Sequence, residues 1–355
     1  MTDKYLRIDI RSKDYGKKRV LSDIQLDIDQ GEVIAIMGQS GSGKTTLARC
    51  LAGFEECEGE IFLDGRDISK MHPKDRSIGI VPQDGALFPH LNVEQNVGFG
   101  IKGKKGRSEK VREYLSLVKL EDVENTATKK VDQISGGQQQ RVAVARALAG
   151  NPKVIILDES FSALDQWLRI SVRRQILESL KSVNCTVIVI THDVNEAFEL
   201  ADRVAVIQDG KLVQFDTSDN LYLCPNSLSV AQLVGIANVV NYDEEIYGTG
   251  FKDFSQRSEV SGSAKLLMSR PEDVVSLDAD VGTPIRIAAT IESIKSSGPT
   301  KHIYLTIDKT GEPIISTDEF LATQAVGESV EIGISSEGII YESLDKIISD
   351  YQSHW

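Results

Sequence analysis

The stretch Val33-Ile-Ala-Ile-Met37-Gly38-Gln39-Ser40-Gly41-Ser42-Gly43-Lys44-Thr45-Thr46 decides how the chain folds. An apolar run without alternation, Val33–Met37, predicts a strand buried on both faces. The glycines that follow predict a tight loop, and a helix is expected from Lys44. Gly38 to Thr45 fits the phosphate-loop pattern G-x-x-x-x-G-K-[ST], whose mechanism requires this strand, loop and helix order. Glycines let backbone N–H groups turn inward around phosphates, and the helix N-terminus adds its partial positive charge. Gly38, Gln39, Ser40, Gly41, Ser42, Gly43, Lys44, Thr45 and Thr46 are therefore expected to cradle a nucleoside triphosphate. Lys44 can reach the β- and γ-phosphates, and the Thr45 hydroxyl can ligate Mg²⁺.

Working outward, the pattern stays that of an α/β protein. Val154–Leu157 and Val187–Ile190 are further short apolar runs, separated from Val33–Met37 by helical stretches. Residues 90–150 are expected to be mostly helical, with Arg112–Leu120 amphipathic. Val194–Ala201 and Val204–Gln208 read as a last helix and strand, and Asp209-Gly210 as a hairpin turn. Before the phosphate loop, Leu6, Ile8 and Ile10 alternate, as do Ile24, Leu26 and Ile28, around a turn at Tyr15-Gly16. After about residue 235 the texture changes. Ile285–Ile291, Ile303–Ile307 and Val330–Ile334 predict short strands between Gly and Pro turns, as in a small β-barrel. The expected division is a nucleotide-binding domain over 1–237 and an all-β domain over 238–355.

A length of 355 residues suits two domains. The formal net charge of −13 argues against nucleic acid as the main partner, because phosphate backbones need a concentrated basic surface. No segment reaches the 18 or so apolar residues of a membrane-spanning helix. The N-terminus carries charges and no apolar signal core, so a cytoplasmic location is expected, with membrane attachment only through a partner. Cys50, Cys57, Cys185 and Cys224 form no CxxC pair, which suits reduced structural thiols.

Val154-Ile-Ile-Leu157-Asp158-Glu159 adds the acids that this chemistry needs. A buried strand ending in carboxylates delivers them to the C-terminal edge of the sheet, where phosphates bind. Asp158 is expected to hold Mg²⁺, and Glu159 to polarise the attacking water.

Ile134-Ser135-Gly136-Gly137-Gln138, followed by Gln139-Gln140-Arg141, resembles the LSGGQ signature of the ATP-binding-cassette (ABC) ATPases, with Ile in place of Leu. The resemblance implies a P-loop NTPase cassette with a helical subdomain. It also implies that Ser135, Gly136, Gly137 and Gln138 close over the nucleotide of a second copy, giving a head-to-tail homodimer. Tyr15 resembles the family's adenine-stacking aromatic, and Gln83, in Val81-Pro-Gln83, the glutamine that senses Mg²⁺ and links to the permease. Ser162-Ala-Leu-Asp165 resembles the loop that contacts the partner cassette, and His192 the histidine that hydrogen-bonds the γ-phosphate. Ser160 departs from the family, which usually has Pro after the glutamate; a proline there would stiffen the turn.

Ser269-Arg-Pro-Glu272 and the strands after it look like the regulatory domain of solute importers. Ala52-Gly-Phe-Glu55 and Gly85-Ala-Leu-Phe88-Pro-His-Leu91 look most like the ferric-ion members. The resemblance implies MgATP hydrolysis coupled to uptake through integral membrane permease subunits, at the cytoplasmic face of the membrane. An extracytoplasmic solute-binding protein would be an indirect partner. Spermidine or putrescine, sulfate, molybdate, thiamine and sugars stay open as solutes, as does a non-transport ABC ATPase. Residues Asp84–Leu91, apolar for a loop, are expected either to dock the permease or to pack inside the helical subdomain.

Overall fold

The computed structural model describes residues 4–101, 103, 106–161, 166–247, 252–253, 265–276, 287–334 and 339–342. The chain divides into two compact units, 1–218 and 219–355.

In the first unit, β1 (Leu6–Tyr15) and β2 (Lys18–Ile28) form a hairpin. They are followed by β3 (Val33–Met37), α1 (Lys44–Ala52), β4 (Glu58–Leu63), β5 (Arg66–Asp67) and β6 (Ile78–Val81). Helices α2 (Val93–Gly98), α3 (Arg107–Leu117), α4 (Val123–Thr128) and α5 (Gly136–Leu148) come next. The unit closes with β7 (Val154–Asp158), α6 (Gln166–Ser182), β8 (Thr186–Ile190), α7 (Val194–Leu200), β9 (Arg203–Gln208) and β10 (Lys211–Asp216). The central sheet runs in the order β10-β9-β3-β8-β7-β6. Its strands are parallel except β10, which returns from β9 through Asp209 (φ 49°) and Gly210 (φ 76°). Two consecutive positive φ values are what the expected Asp-Gly hairpin turn requires.

The apolar runs of the sequence are buried on both faces because alternate residues serve different cores. Ile34, Ile36, Val154, Ile156, Ile188 and Ile190 face a cluster shared with α1 and with the antiparallel sheet β2-β1-β4-β5. Val33, Ile155, Leu157, Val187 and Val189 face a second cluster, filled by α2, α3, α5 and α6. Because β3, β6, β7 and β8 are parallel, their C-terminal ends share one edge. That edge positions the site.

The second unit holds α8 (Ser218–Leu223), α9 (Leu228–Val234), β11 (Asn238–Asn241), α10 (Glu244–Tyr247), β12 (Lys252–Asp253) and β13 (Lys265–Ser269). It continues with β14 (Val274–Ser276), β15 (Ile287–Ser297), β16 (Thr300–Ile307), β17 (Pro313–Ser316), β18 (Ser329–Ile334) and β19 (Ile339–Glu342). The strands form two sheets, β11-β13-β19-β12 and β14-β18-β15-β16-β17. Both contribute to one cluster, Val240 and Leu267 from the first with Ile287, Ile303 and Ile332 from the second. This is the barrel-like packing that the strand pattern implies.

The compact division falls earlier than the change in sequence texture at 237–238. Arg270, buried in the second unit, donates to the carbonyls of Tyr222, Ala231 and Ile236 and so gathers α8 and α9 to the β-rich part. Among the described residues, no helix is long and apolar enough to cross a membrane.

Candidate functional site

The phosphate loop is shaped by glycine at two close approaches. A Cβ on Gly38 would lie 2.1 Å from the Ile207 carbonyl oxygen and 2.6 Å from Ser42 Oγ. Gly43 holds φ 105°, and a Cβ there would lie 2.7 Å from Leu21 Cδ2. Lys44, 6 % exposed, curls back so that Nζ donates to the Gly38 and Gln39 carbonyls at 2.8 and 2.9 Å. Burial pulls its pKa down, while the carboxylates of Glu159 and Asp158 act in the opposite sense. Ser42 is also buried, and its hydroxyl oxygen has no hydrogen-bond partner among the described residues. A buried orphan hydroxyl in a glycine-rich loop at a helix N-terminus fits an oxyanion such as phosphate.

Asp158, at the end of β7, accepts a hydrogen bond from Thr45. Burial raises its pKa, and the neighbouring Glu159 charge raises it further. The Thr45 hydroxyl and the Asp158 carboxylate are hard oxygen donors of the kind a divalent cation such as Mg²⁺ takes. Glu159 turns out of the strand with φ 48°, and its N–H donates to the Ile190 carbonyl at 3.0 Å. Its Oε1 lies 3.4 Å from His192 Nδ1, on the loop after β8. His192 is mostly exposed, so its other ring nitrogen faces solvent or a ligand. Gln83 follows β6 on the same edge and is exposed. Lys44, Thr45, Asp158, Glu159, His192 and Gln83 therefore sit on a single edge although they come from distant parts of the chain.

Tyr15, at the tip of the β1–β2 hairpin, is 45 % exposed. The Lys13 ammonium lies 4.6 Å from its ring centre, held by Glu55 Oε2 at 3.0 Å. Such a cation–aromatic contact fixes the ring and leaves it a platform.

Ser135–Gln138 belongs to the other core. Ser135 caps α5, its Oγ accepting from Gln138 N–H at 3.3 Å while Gln138 Oε1 accepts from Ser135 N–H at 3.0 Å. This is a reciprocal capping box. Ser135 and Gly136 are exposed. The turn is thus satisfied within itself and faces outward, and α5 packs in the helical cluster while α1 packs in the other. Ser162–Asp165 lie outside the described residues.

Local patterns in the sequence did not point to several supports. Gln140 Nε2 donates to the Gln83 carbonyl at 3.4 Å, and Arg146 donates to those of Ala86 and Gly85 at 2.7 and 2.9 Å, so α5 grips the turn after β6. Asn96 exchanges hydrogen bonds with the Phe88 backbone. Leu87 packs against the helical cluster. Phe88 is half-buried beside Phe99, ring centres 4.9 Å apart, and Phe99 is 69 % exposed. Of the two expected uses of this loop, the structure shows packing against the helical subdomain for Leu87 and, in part, for Phe88.

Comparison with known proteins gives the following. A family model described as ABC transporter matches residues 21–162. A protein of Haemophilus influenzae named Fe(3+) ions import ATP-binding protein FbpC 2 is 35% identical over 93% of this chain and 95% of its own. A namesake from Pectobacterium atrosepticum is 36% identical over 93% of this chain and 97% of its own. Among solved structures, the ATP-binding cassette MJ0796, a dimer in a post-hydrolysis state with ADP and Pi, is 32% identical. It covers 60% of this chain and 98% of its own, with a TM-score of 0.52. CbiO1 of Clostridium perfringens, part of the transporter complex cbiONQ, is 29% identical over 62% of this chain and 90% of its own, with a TM-score of 0.56.

Proposed function

The chain belongs to the ATP-binding proteins of ABC transporters and is an ATPase of an import system, and from that premise we propose that it powers uptake of ferric ion through a membrane permease. The observation that carries the mechanism is the gathering of Lys44, Thr45, Asp158, Glu159, Gln83 and His192 on one sheet edge. ATP is held by Gly38–Thr46, with the Lys44 ammonium leaving its loop carbonyls for the phosphates and the adenine on Tyr15. Thr45, Asp158 and Gln83 would hold Mg²⁺, which when bound neutralises charge on the transferring phosphoryl group.

Glu159 orients the attacking water and takes its proton. His192, already 3.4 Å from Glu159, donates a hydrogen bond to the γ-phosphate. Ser135–Gln138 completes the site of a second copy, giving two nucleotides per symmetric pair. The loop Gln83–Leu91, with Phe88 and the nearby Phe99, receives an apolar helix of the permease. Ferric ion as the solute is supported by the names of the relatives, and the second unit is proposed as a regulatory domain.

Glu159→Gln preserves shape and removes the base. We expect turnover to fall by about 10²–10⁴-fold with MgATP still bound. Wild-type turnover in that variant overturns the mechanism. Loss of ferric-ion uptake, but not of spermidine or sulfate uptake, in cells carrying the variant checks the solute.

A further inference from the structure

Ser160 stands where a proline is expected, directly after Glu159. It is 1 % exposed, and its hydroxyl donates to the Val81 carbonyl at 2.7 Å. Val81 is the last residue of β6 and pairs with Leu157 of β7. The hydroxyl therefore adds a link beyond the end of the β6–β7 ladder, between the loop that carries Glu159 and the end of the strand that leads into Gln83.

That link falls where the backbone needs it. Among the described residues β6 lies at the edge of its sheet, and backbone pairing with β7 holds its C-terminal end from one side. Glu159 sits at φ 48°, a left-handed conformation that a side-chain-bearing residue keeps only when its surroundings hold it. A proline at 160 would bias residue 159 toward extended backbone and carries no hydroxyl. Serine imposes no such bias and supplies a donor. On one side of the serine, Glu159 N–H is tied to Ile190. Across the bond, the turn after Val81 is gripped by Gln140 and Arg146.

We propose that Ser160 is a positioning residue whose hydroxyl locks the Glu159 loop to the end of β6, just before Gln83, so that the general base and the glutamine are set as one unit. The inference rests on the roles proposed above for Glu159 and Gln83. It replaces the stiffness of a ring with a hydrogen bond that spans two loops.

The test uses the full chain. Ser160→Ala should lower kcat about three- to tenfold and leave the KM for ATP within about twofold, because the phosphate loop is untouched. Without nucleotide, amide hydrogen exchange should quicken over residues 81–86 and 159–161 and stay unchanged in β3 and α1. In a Gln83→Ala background the kcat cost of Ser160→Ala should shrink to less than about twofold, since little is left to position.

A Ser160→Ala protein with a lower Tm, general quickening of exchange and an unchanged kcat overturns the proposal, as does an undiminished cost in the Gln83→Ala background. If Ser160→Ala does not fold, Ser160→Cys, of similar shape and a weaker donor, must show the same kcat loss and local exchange in smaller measure; wild-type behaviour overturns the proposal equally. Glu159→Gln is measured alongside. Wild-type turnover there defeats the underlying mechanism, whereas an inactive Glu159→Gln with a silent Ser160→Ala defeats this inference alone.

Discussion

The loop before α1 and the turn before α5 are both glycine-rich starts of helices, yet they are satisfied in opposite ways. At the first, Ser42 is buried with an orphan hydroxyl, and the Lys44 ammonium is held by two backbone carbonyls. At the second, Ser135 and Gln138 satisfy each other, and the turn is exposed. The first has a buried hydroxyl that no described residue of the chain satisfies. The second presents a stable rim that needs nothing from its own chain. A cradle of the second sort is useful to a surface brought from outside, and the difference points to a site shared between two copies.

The sharpest way to break that comparison is to injure each cradle in a different subunit. Lys44→Ala removes the cation of the first cradle, and Ser135→Arg places a bulky side chain in the second. Each variant alone should lose nearly all turnover, by about 10²–10³-fold for a missing electrostatic contact. Mixed in equal amounts, half of the pairs are heterodimers, and each carries one site with both lesions and one intact. Activity should return to about a quarter of the wild-type level if sites act independently. Co-purification through two different tags verifies that heterodimers form. No recovery with heterodimers present ends the shared-site model.

A second prediction concerns the strain of the first cradle. Asp158 is pushed above the ordinary carboxylate range by burial and then by the Glu159 charge. A folded pKa above the unfolded one means that the contribution to stability is present at low pH and is lost as pH rises through the folded value. Near neutral pH the ionised carboxylate is therefore a cost to the fold. Asp158→Asn should raise the Tm of the nucleotide-free protein by about 1–3 °C at neutral pH, with the gap closing as the pH falls through the folded pKa. The same variant should lose turnover, because the carboxylate proposed to hold Mg²⁺ is gone. A lower Tm for Asp158→Asn across the pH range would show that Asp158 stabilises the loop, and the contrast between the two cradles would lose its energetic basis.

The two cradles differ also in how far the sequence foretold them. Val33–Thr46 and Ile134–Gln138 are local patterns, and the strand, loop and helix they specify are set by neighbours in the chain. Asp158 and Glu159 were legible because a buried strand must end somewhere, and two acids at its end have one natural place. The 3.4 Å approach of Glu159 to His192 was implied only by family resemblance, since nothing local pairs β7 with β8. Lys13 beneath Tyr15 escaped notice because its partner Glu55 lies across the β1–β4 pairing. Ser160 was visible as a departure, but its partner Val81 was not, because parallel pairing joins residues that sequence distance hides. In the second unit Ile285–Ile291 (of which 285–286 lie outside the described residues), Ile303–Ile307 and Val330–Ile334 were readable as strands, whereas Pro313–Ser316 and Ile339–Glu342 were not. The capture of α8 and α9 by Arg270 depends on contacts that no periodicity records.

The smallest effect we expect lies where the two regions meet. Helix α5 begins at the exposed cradle and, two to three turns on, holds the turn that follows β6 on the buried cradle's edge. Arg146 donates to the Ala86 and Gly85 carbonyls at 2.7 and 2.9 Å, and its guanidinium lies 5.2 Å from the Phe88 ring centre. Ala86 holds φ 45°, so the turn it closes is not one the chain would keep unaided. Arg146→Met keeps the apolar stem over Phe88 and removes both hydrogen bonds. Water can reach the carbonyl of exposed Ala86, which limits the loss, and kcat should fall about two- to fivefold with the KM for ATP unchanged. Arg146→Lys should recover little, because one ammonium cannot hold two carbonyls in the fixed fork of a guanidinium. Steady-state ATPase rates of the two variants decide it. Wild-type kcat in Arg146→Met would mean that Arg146 passes nothing to the Gln83 turn, leaving the Gln140 hydrogen bond to the Gln83 carbonyl to carry whatever α5 transmits from the capped turn.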